Sequence, residues 1–169
     1  QATAPGGALE VFIKAREEGL VRHIGFSAPS SETALALLDH FDFDSVLFPV
    51  NWVNYFQANF GPEVVARAEE KGAARLALKA MARSKLAEGD DRPYPKCWYA
   101  PIDDPELASL AIRFSLSQPI TAAVPPGDAR LFQMALDIAE DFTPVTDDEV
   151  AVLKEKAKEN TPLFKLTAA

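Results

Sequence analysis

The sequence has few of the residues that build metal centres and disulfides. Its 169 residues include one cysteine, Cys97, and two histidines, His23 and His40. A single cysteine cannot form an internal disulfide, nor can it hold a structural zinc ion or an iron–sulfur cluster alone. Neither histidine has a companion at the spacing of a metal site or a catalytic pair. We therefore predict no metal site, a structural role for all three residues, and a reducing, cytoplasmic compartment.

Long apolar runs and an excess of positive charge are also missing. No stretch approaches the roughly 20 apolar residues that span a bilayer, and no charged segment followed by an apolar one opens the chain. The 25 Asp and Glu residues outnumber the 17 Lys and Arg residues, so the net charge is -8. Nucleic acids and anionic membranes are bound through clustered basic residues, and we expect neither as a partner. Because the chain does not begin with methionine, we expect further sequence upstream.

Four short apolar runs alternate with amphipathic segments along the chain. The runs occupy residues 21–27, 44–50, 74–80 and 120–124. This alternation predicts βα units and a parallel sheet. The length and the hydrophobic fraction of 48% fit one domain over residues 1–169.

Helical periodicity and capping residues place helices between and after these runs. Residues 82–103 show little periodicity, which predicts a long functional or disordered loop. Helices are predicted at 7–18, from Ser30 or Ser31, at Pro62–Lys71, from Asp104, from Asp128, and from Thr146 to about Asn160.

Three segments, taken in order, carry a family resemblance. Residues 19–27 read Gly-Leu-Val-Arg-His-Ile-Gly-Phe-Ser, residues 50–52 read Val-Asn-Trp, and residues 77–82 read Ala-Leu-Lys-Ala-Met-Ala. Together with Val-Pro-Pro-Gly at 124–127 and the helices after it, they resemble the C-terminal half of the aldo-keto reductases. The resemblance covers most of the chain. It implies an α/β fold that is the C-terminal half of a TIM (β/α)8 barrel, with about four parallel strands, flanking helices and a C-terminal extra helix.

The same resemblance implies an oxidoreductase half that carries part of a binding site for NADP(H) or NAD(H). Ser27 matches a serine that contacts the nicotinamide carboxamide in relatives, whereas Ala28 and Pro49 stand where relatives often have asparagine and glutamine. The family's catalytic Asp, Tyr, Lys and His belong to the N-terminal half. We therefore assign no catalytic residue, and we expect the isolated chain not to reduce carbonyls at a normal rate. The candidate cofactor-binding residues are Ser27, Lys79, Met81, Gly127 and Arg130.

The candidate charges and turns also have structural interpretations. Lys79 interrupts an apolar run near its carboxyl end, where barrel enzymes gather ligands. It either binds a phosphate there, or extends to solvent or pairs with a carboxylate. The turn before Asp128 offers backbone N–H groups to an anion such as the cofactor's adenosine phosphate, but Asp128 itself favours a plain helix N-cap. Trp98 and Tyr99 either stack on a charged ligand or pin the loop to the edge of the barrel.

Four βα units cannot close a barrel of eight. If about a dozen inward side chains each leave roughly 50 Å² uncovered, about 600 Å² of apolar surface is exposed, more than most monomers tolerate. We therefore expect a partner, either the N-terminal half of the barrel or a second copy of the chain. The alternative function is a non-catalytic, self-associating half-barrel that binds a nucleotide or phosphate, or serves only in assembly. An isomerase-type phosphate barrel ranks last because the chain offers no acid–base pair.

Overall fold

The structure is a computed structural model that describes residues 2–166. Helices and strands alternate along most of it. The helices are α1 (Ala8–Glu17), α2 (Ser31–His40), α3 (Trp52–Ala58), α4 (Pro62–Glu70), α5 (Pro105–Leu116), α6 (Ala129–Glu140) and α7 (Asp147–Ala157). The strands are β1 (Gly25–Ser27), β2 (Ser45–Pro49), β3 (Ala74–Leu78), β4 (Ala82–Lys85), β5 (Tyr99–Pro101) and β6 (Ala122–Val124).

The main sheet has four strands in the order β1-β2-β3-β6, and all its pairs are parallel. Each connection between neighbouring strands carries at least one helix, as a parallel sheet requires. This confirms the predicted α/β fold with four parallel strands. The strands are shorter than the apolar runs. Just before β1, the Ile24 N–H donates to the Asp44 carboxylate at 2.7 Å, and the Ile24 carbonyl accepts from the Asp44 N–H at 2.8 Å.

Local capping chemistry sets the helix boundaries. The Asp104 side chain accepts from the Leu107 N–H at the start of α5, and Thr146 and Glu149 form a full capping box at the start of α7. Gly19 lies beyond the end of α1 with a φ of 75°, the left-handed conformation that glycine adopts without strain. These ends were predicted because each signal lies within a few residues of the helix that it caps.

The core lies on the helix-covered face of the sheet. Val46 and Phe48 of β2 are buried against α2 and α4. A second cluster fills the space between α3, α5, α6, α7 and the hairpin of β4 and β5, with Trp52, Tyr99 and Leu153 among its buried members. The helices therefore cover one side of the sheet.

The opposite face carries no helix within residues 2–166. Strand register places its side chains in three rows, in which Gly25, Ser27, Ala122 and Val124 are exposed. The rows are Gly25–Ser45–Ala74, Ser27–Leu47–Leu76–Ala122 and Pro49–Leu78–Val124. This face is open, as expected of half a barrel, and it carries aliphatic residues together with the hydroxyl residues Ser27 and Ser45.

Residues 82–103 are more ordered than the predicted loop. Strands β4 and β5 pair antiparallel across the segment, with a register shift between Ala82 and Ser84. Because Ala82 and Tyr99 are buried, their backbone groups need partners, and the hairpin supplies them. The short helix α3 is the other element that the sequence did not predict.

Candidate functional site

The candidate site lies at the carboxyl edge of the parallel sheet. Ser27 ends β1, Lys79 follows β3, and Gly127 follows β6, so the topology brings all three to the same edge. Parallel α/β barrels gather their ligands at this edge. We call it the rim.

Lys79 has the most unusual environment at the rim. Its φ is 70°, in the left-handed region that lysine rarely adopts. Its Nζ lies 4.7 Å from the centre of the Tyr99 ring and 5.2 Å from that of Trp98. Lys79 forms no ion pair with a carboxylate of the described chain. Burial lowers the pKa of its ammonium group. The residue neither pairs with a carboxylate nor extends freely into solvent.

A buried asparagine holds this backbone in place. The Asn51 Nδ2 donates to the carbonyl oxygens of Lys79, at 2.9 Å, and Ala82, at 2.6 Å. Its Oδ1 accepts from the Asn54 N–H at 3.1 Å, which caps α3. The Lys79 carbonyl also accepts from the Ala82 N–H at 2.9 Å. Asn51 therefore fixes β2, α3 and the turn after β3 relative to one another.

Ser27 presents a free hydroxyl on the open face. The residue is exposed, and its side chain makes no hydrogen bond to the described part of the chain. A hydroxyl can donate and accept at once, so it can hold either end of a carboxamide. Contact of Ser27 with a nicotinamide carboxamide stays a prediction.

The turn before α6 is already occupied by the chain's own charges. Asp128 caps α6 by accepting from the Arg130 N–H at 3.0 Å, as the sequence favoured. The Arg130 guanidinium donates to both Asp128 oxygens at 3.0 Å and to the Pro93 carbonyl at 3.1 Å. Its pairing with Arg130 lowers the pKa of the Asp128 carboxyl. A phosphate at this helix end would face a carboxylate and an arginine that is already paired.

The space beside Gly127 is open. A Cβ built there would meet only the Lys96 Cδ, at 3.9 Å. The packing of the chain therefore does not require glycine at this position. Close approach of a ligand remains a prediction for it.

Met81 and Cys97 lie inside the protein. Met81 is 1% exposed and packs in the same cluster as Trp52 and Ile102. This leaves its side chain no surface for a cofactor, so a binding role for Met81 remains a prediction that burial does not favour. Burial raises the pKa of the Cys97 thiol, which is the behaviour of a packed, unreactive cysteine.

The chain beyond α7 also contributes to the rim. The N–H groups of Leu163 and Phe164 donate to the Asn54 Oδ1 at 3.0 and 3.5 Å. The Phe164 ring stacks on Phe60 at 5.5 Å and meets the edge of Trp98 at 6.1 Å. Trp98, 51% exposed, is thus held in place while one part of it stays open to solvent.

The sequence did not predict that Asn51 fixes the backbone around Lys79, nor that the segment after α7 packs at the rim. Asn51 contacts carbonyls 28 and 31 residues away, and Asn54 contacts backbone 109 residues away. No local pattern marks such contacts. The one available signal was a pair of asparagines inside an otherwise apolar segment.

The described chain lacks features of two other classes of site. It contains no group of three or more His, Cys, Asp or Glu residues placed to hold a metal ion. None of the helices in residues 2–166 is long and apolar enough to cross a membrane.

The strand order and the helices between the strands are those of half of a parallel (β/α)8 barrel. No protein-family model and no curated protein matches the sequence. Solved structures do match. A holo-form aldo-keto reductase from Bacillus halodurans is 20% identical, with a TM-score of 0.59 over 91% of this chain and 56% of that chain.

Two further solved structures give the same result. The aldose reductase from Giardia lamblia is 15% identical, with a TM-score of 0.58 over 92% of this chain and 51% of that one. The glycerol dehydrogenase from Gluconobacter oxydans is 18% identical, with a TM-score of 0.54 over 92% and 55%. The chain spans about half the length of the structures that it matches. Its fold is that of part of an aldo-keto reductase barrel, as predicted.

Proposed function

We propose that this chain is the cofactor-binding, C-terminal half of an aldo-keto-reductase-like oxidoreductase. It would act only when four further βα units complete the barrel. The observation that carries this proposal is the open face of the parallel sheet, with Ser27 and Lys79 at its carboxyl edge. Solved barrels of matching fold are about twice as long as this chain, which supports the same conclusion.

Exposed apolar side chains flank both ends of the sheet. Next to the β1 edge, Val11 and Leu20 are 66% and 73% exposed. On the β6 side, Val124 and, on α6, Phe132 and Leu136 are also exposed. In a closed barrel both places would be covered by the next strand and its helix. The missing N-terminal half is the partner that would cover both at once.

A nicotinamide nucleotide is the proposed cofactor. When bound, it supplies the hydride for carbonyl reduction. The Ser27 hydroxyl is free to hold a carboxamide, and the Lys79 ammonium at the same edge forms no ion pair within residues 2–166. The Asp128–Arg130 pair does not fit an additional phosphate at the start of α6. We therefore place the binding function of this half at Ser27 and Lys79.

Tryptophan fluorescence tests the cofactor proposal on the chain as it is. Only two tryptophans are present, the buried Trp52 and the rim residue Trp98. Titration with NADH or NADPH should quench emission saturably, and Trp98→Phe should remove most of that change. Lys79→Met should weaken binding about tenfold, the size expected when one charge-assisted contact is lost.

The matched control is Lys14→Met. Lys14 is an exposed lysine on α1 that pairs with Glu18, away from the rim. This substitution should leave the dissociation constant for the nucleotide unchanged. Absence of saturable quenching by either nucleotide, or equal weakening by the two lysine variants, would contradict the proposal.

The second candidate is a non-catalytic half-barrel completed by another copy of the chain. It is supported because both apolar edges occur on one chain, so two copies related by a two-fold axis would cover both. Analytical ultracentrifugation separates the candidates. A tight dimer that is indifferent to nicotinamide nucleotides would favour the assembly, whereas a chain that binds nucleotide and gains turnover with an N-terminal half would favour the oxidoreductase.

A further inference from the structure

A small apolar pocket lies at the β6 end of the sheet, between β6, α5, α6 and the turn after β3. Its volume is about 110 Å³, and every residue that lines it is apolar. Four of these residues are alanines whose short side chains leave the space unfilled, namely Ala80, Ala123, Ala135 and Ala139. We call this space the edge pocket.

The edge pocket opens beside the unpaired edge of the sheet. Val124 and Leu136 line it and are 39% and 43% exposed, whereas Met81, which also lines it, is 1% exposed. Val124 belongs to β6, which pairs with β3 alone among the strands of residues 2–166. The mouth of the pocket therefore lies next to the place where a further strand would pair with β6.

An apolar space of this size is unfavourable when nothing fills it. Its side chains offer water no hydrogen bonds, and they lack the close packing that protein interiors have. Truncation of one leucine in a protein core leaves a dry cavity of about 150 Å³ that binds benzene. The edge pocket is close to this size, so one branched aliphatic side chain would fill it.

A strand beside β6 would bring such a side chain to the mouth of the pocket. Side chains alternate along a strand, so every second one points to the helix-covered side of the sheet, where the edge pocket lies. The solved structures of matching fold are about twice as long as this chain. The half of such a barrel that this chain does not span is the source of a strand at this edge.

A second copy of the chain fits the edge pocket less well. In a parallel barrel made of two copies, β1 of the second copy would lie beside β6. Gly25 and Ser27 of β1 lie on the open face, which leaves Phe26 on the helix-covered side. The Phe26 ring already packs edge-to-face on Phe43, with 4.7 Å between the ring centres. Strand β1 therefore carries no free aliphatic side chain for the pocket.

We propose that the edge pocket is a socket for one side chain of leucine or isoleucine size, carried by a strand of the N-terminal half. This inference rests on the proposed function, because it takes that half as the partner. It adds the chemistry of the contact: the strand that pairs with β6 has an aliphatic residue on its helix-facing side, next to Val124. A polar residue there would be buried without a hydrogen-bond partner and would oppose closure of the barrel.

Benzene tests the edge pocket on the chain alone. The chain has two methionines, of which Met81 lines the pocket and Met134 serves as an internal reference. With isotope-labelled methionine methyl groups, benzene should shift the Met81 resonance saturably and the Met134 resonance far less. Ala139→Leu places an isobutyl group in the pocket and should remove the Met81 shift. The matched control, Ala151→Leu, enlarges an exposed alanine of α7 in the same way and should leave the shift unchanged.

Addition of the N-terminal half tests the occupant of the socket. The half should displace benzene from the pocket, so that benzene no longer shifts the Met81 resonance. Ala139→Leu should weaken the association of the two halves about tenfold, as expected when one aliphatic side chain is no longer buried. Ala151→Leu should leave the association unchanged. Displacement in the unaltered chain requires no variant, so it decides the question even if Ala139→Leu does not fold.

Three results would overturn the socket. Benzene would not shift Met81 in the chain alone, or it would still shift Met81 after the two halves have associated, or its effect would vanish at high concentrations of the chain alone, which would show that a second copy fills the pocket. Failure of the proposed function is distinct from all three. In that case the halves do not associate although benzene shifts Met81, and the N-terminal half is excluded as the occupant.

Discussion

Asn51→Ala should be one of the most destabilising polar substitutions in this chain. Asn51 is 1% exposed, and its side chain makes hydrogen bonds to Lys79, Ala82 and Asn54. Alanine leaves two carbonyl oxygens and one N–H group buried without these partners. At about 1 kcal/mol for each bond, the loss is about 3 kcal/mol, a large part of the 5–15 kcal/mol that stabilises a typical domain.

Urea unfolding followed by circular dichroism measures this loss. With a slope of about 2 kcal/mol per M of urea, a loss of about 3 kcal/mol lowers the midpoint by about 1.5 M. The matched control is Ser30→Ala, which removes one exposed cap bond of 3.3 Å at the start of α2. That change should cost about 1 kcal/mol or less.

The Asn51 substitution should also affect the rim. Lys79 holds a left-handed backbone that costs a non-glycine residue about 1–2 kcal/mol, and the bonds to its carbonyl help to compensate. Nucleotide binding should therefore weaken in folded Asn51→Ala. A midpoint shift no larger than that of Ser30→Ala would refute the reasoning.

Two further predictions concern strand packing and acid stability. Gly25→Ala should destabilise the β1–β2 pair, because an added Cβ would lie 2.9 Å from the Ser45 carbonyl oxygen. Gly127→Ala should be nearly neutral, because the space beside Gly127 is open. The urea midpoints of the two variants test this, and equal losses of stability would contradict it. The Arg113 guanidinium lowers the pKa of Glu149 from 4.5 to about 2. The ionised Glu149 therefore stabilises the folded chain fully above pH 4.5, and this contribution is lost as the pH falls toward 2. Glu149→Gln should therefore flatten the pH dependence of the urea midpoint in that window, and an unchanged slope would contradict the assignment.

Helices and the parallel strands could be predicted because their signals are local. Asp104, Thr146 and Gly19 mark helix ends within a few residues of the structure that they specify. The β4–β5 hairpin lacks such a signal, since its strands are separated by 13 residues without alternation. Helix α3 was missed because it has only 7 residues, too few to show a helical period, and its first three residues are all buried.

The candidate site could be predicted in part. A lysine inside an apolar run singled out Lys79, and a charge near a helix start singled out Asp128. What Lys79 contacts could not be predicted, because Trp98 and Tyr99 reach it only through the unpredicted hairpin. The pairing of Arg130 with Asp128 could not be predicted either. The sequence spacing of the two residues is the same whether the arginine contacts a ligand or the carboxylate that caps its own helix.

Hydrogen–deuterium exchange of the four parallel strands tests the central claim most directly. β1 and β6 each pair on one side only within the described chain, whereas β2 and β3 lie between two neighbours. If the chain is an open half-barrel, amides of β2 and β3 should exchange slowly in the chain alone, and those of β1 and β6 should exchange fast until a second half is added. Equally slow exchange in all four strands of a proven monomer would contradict the account.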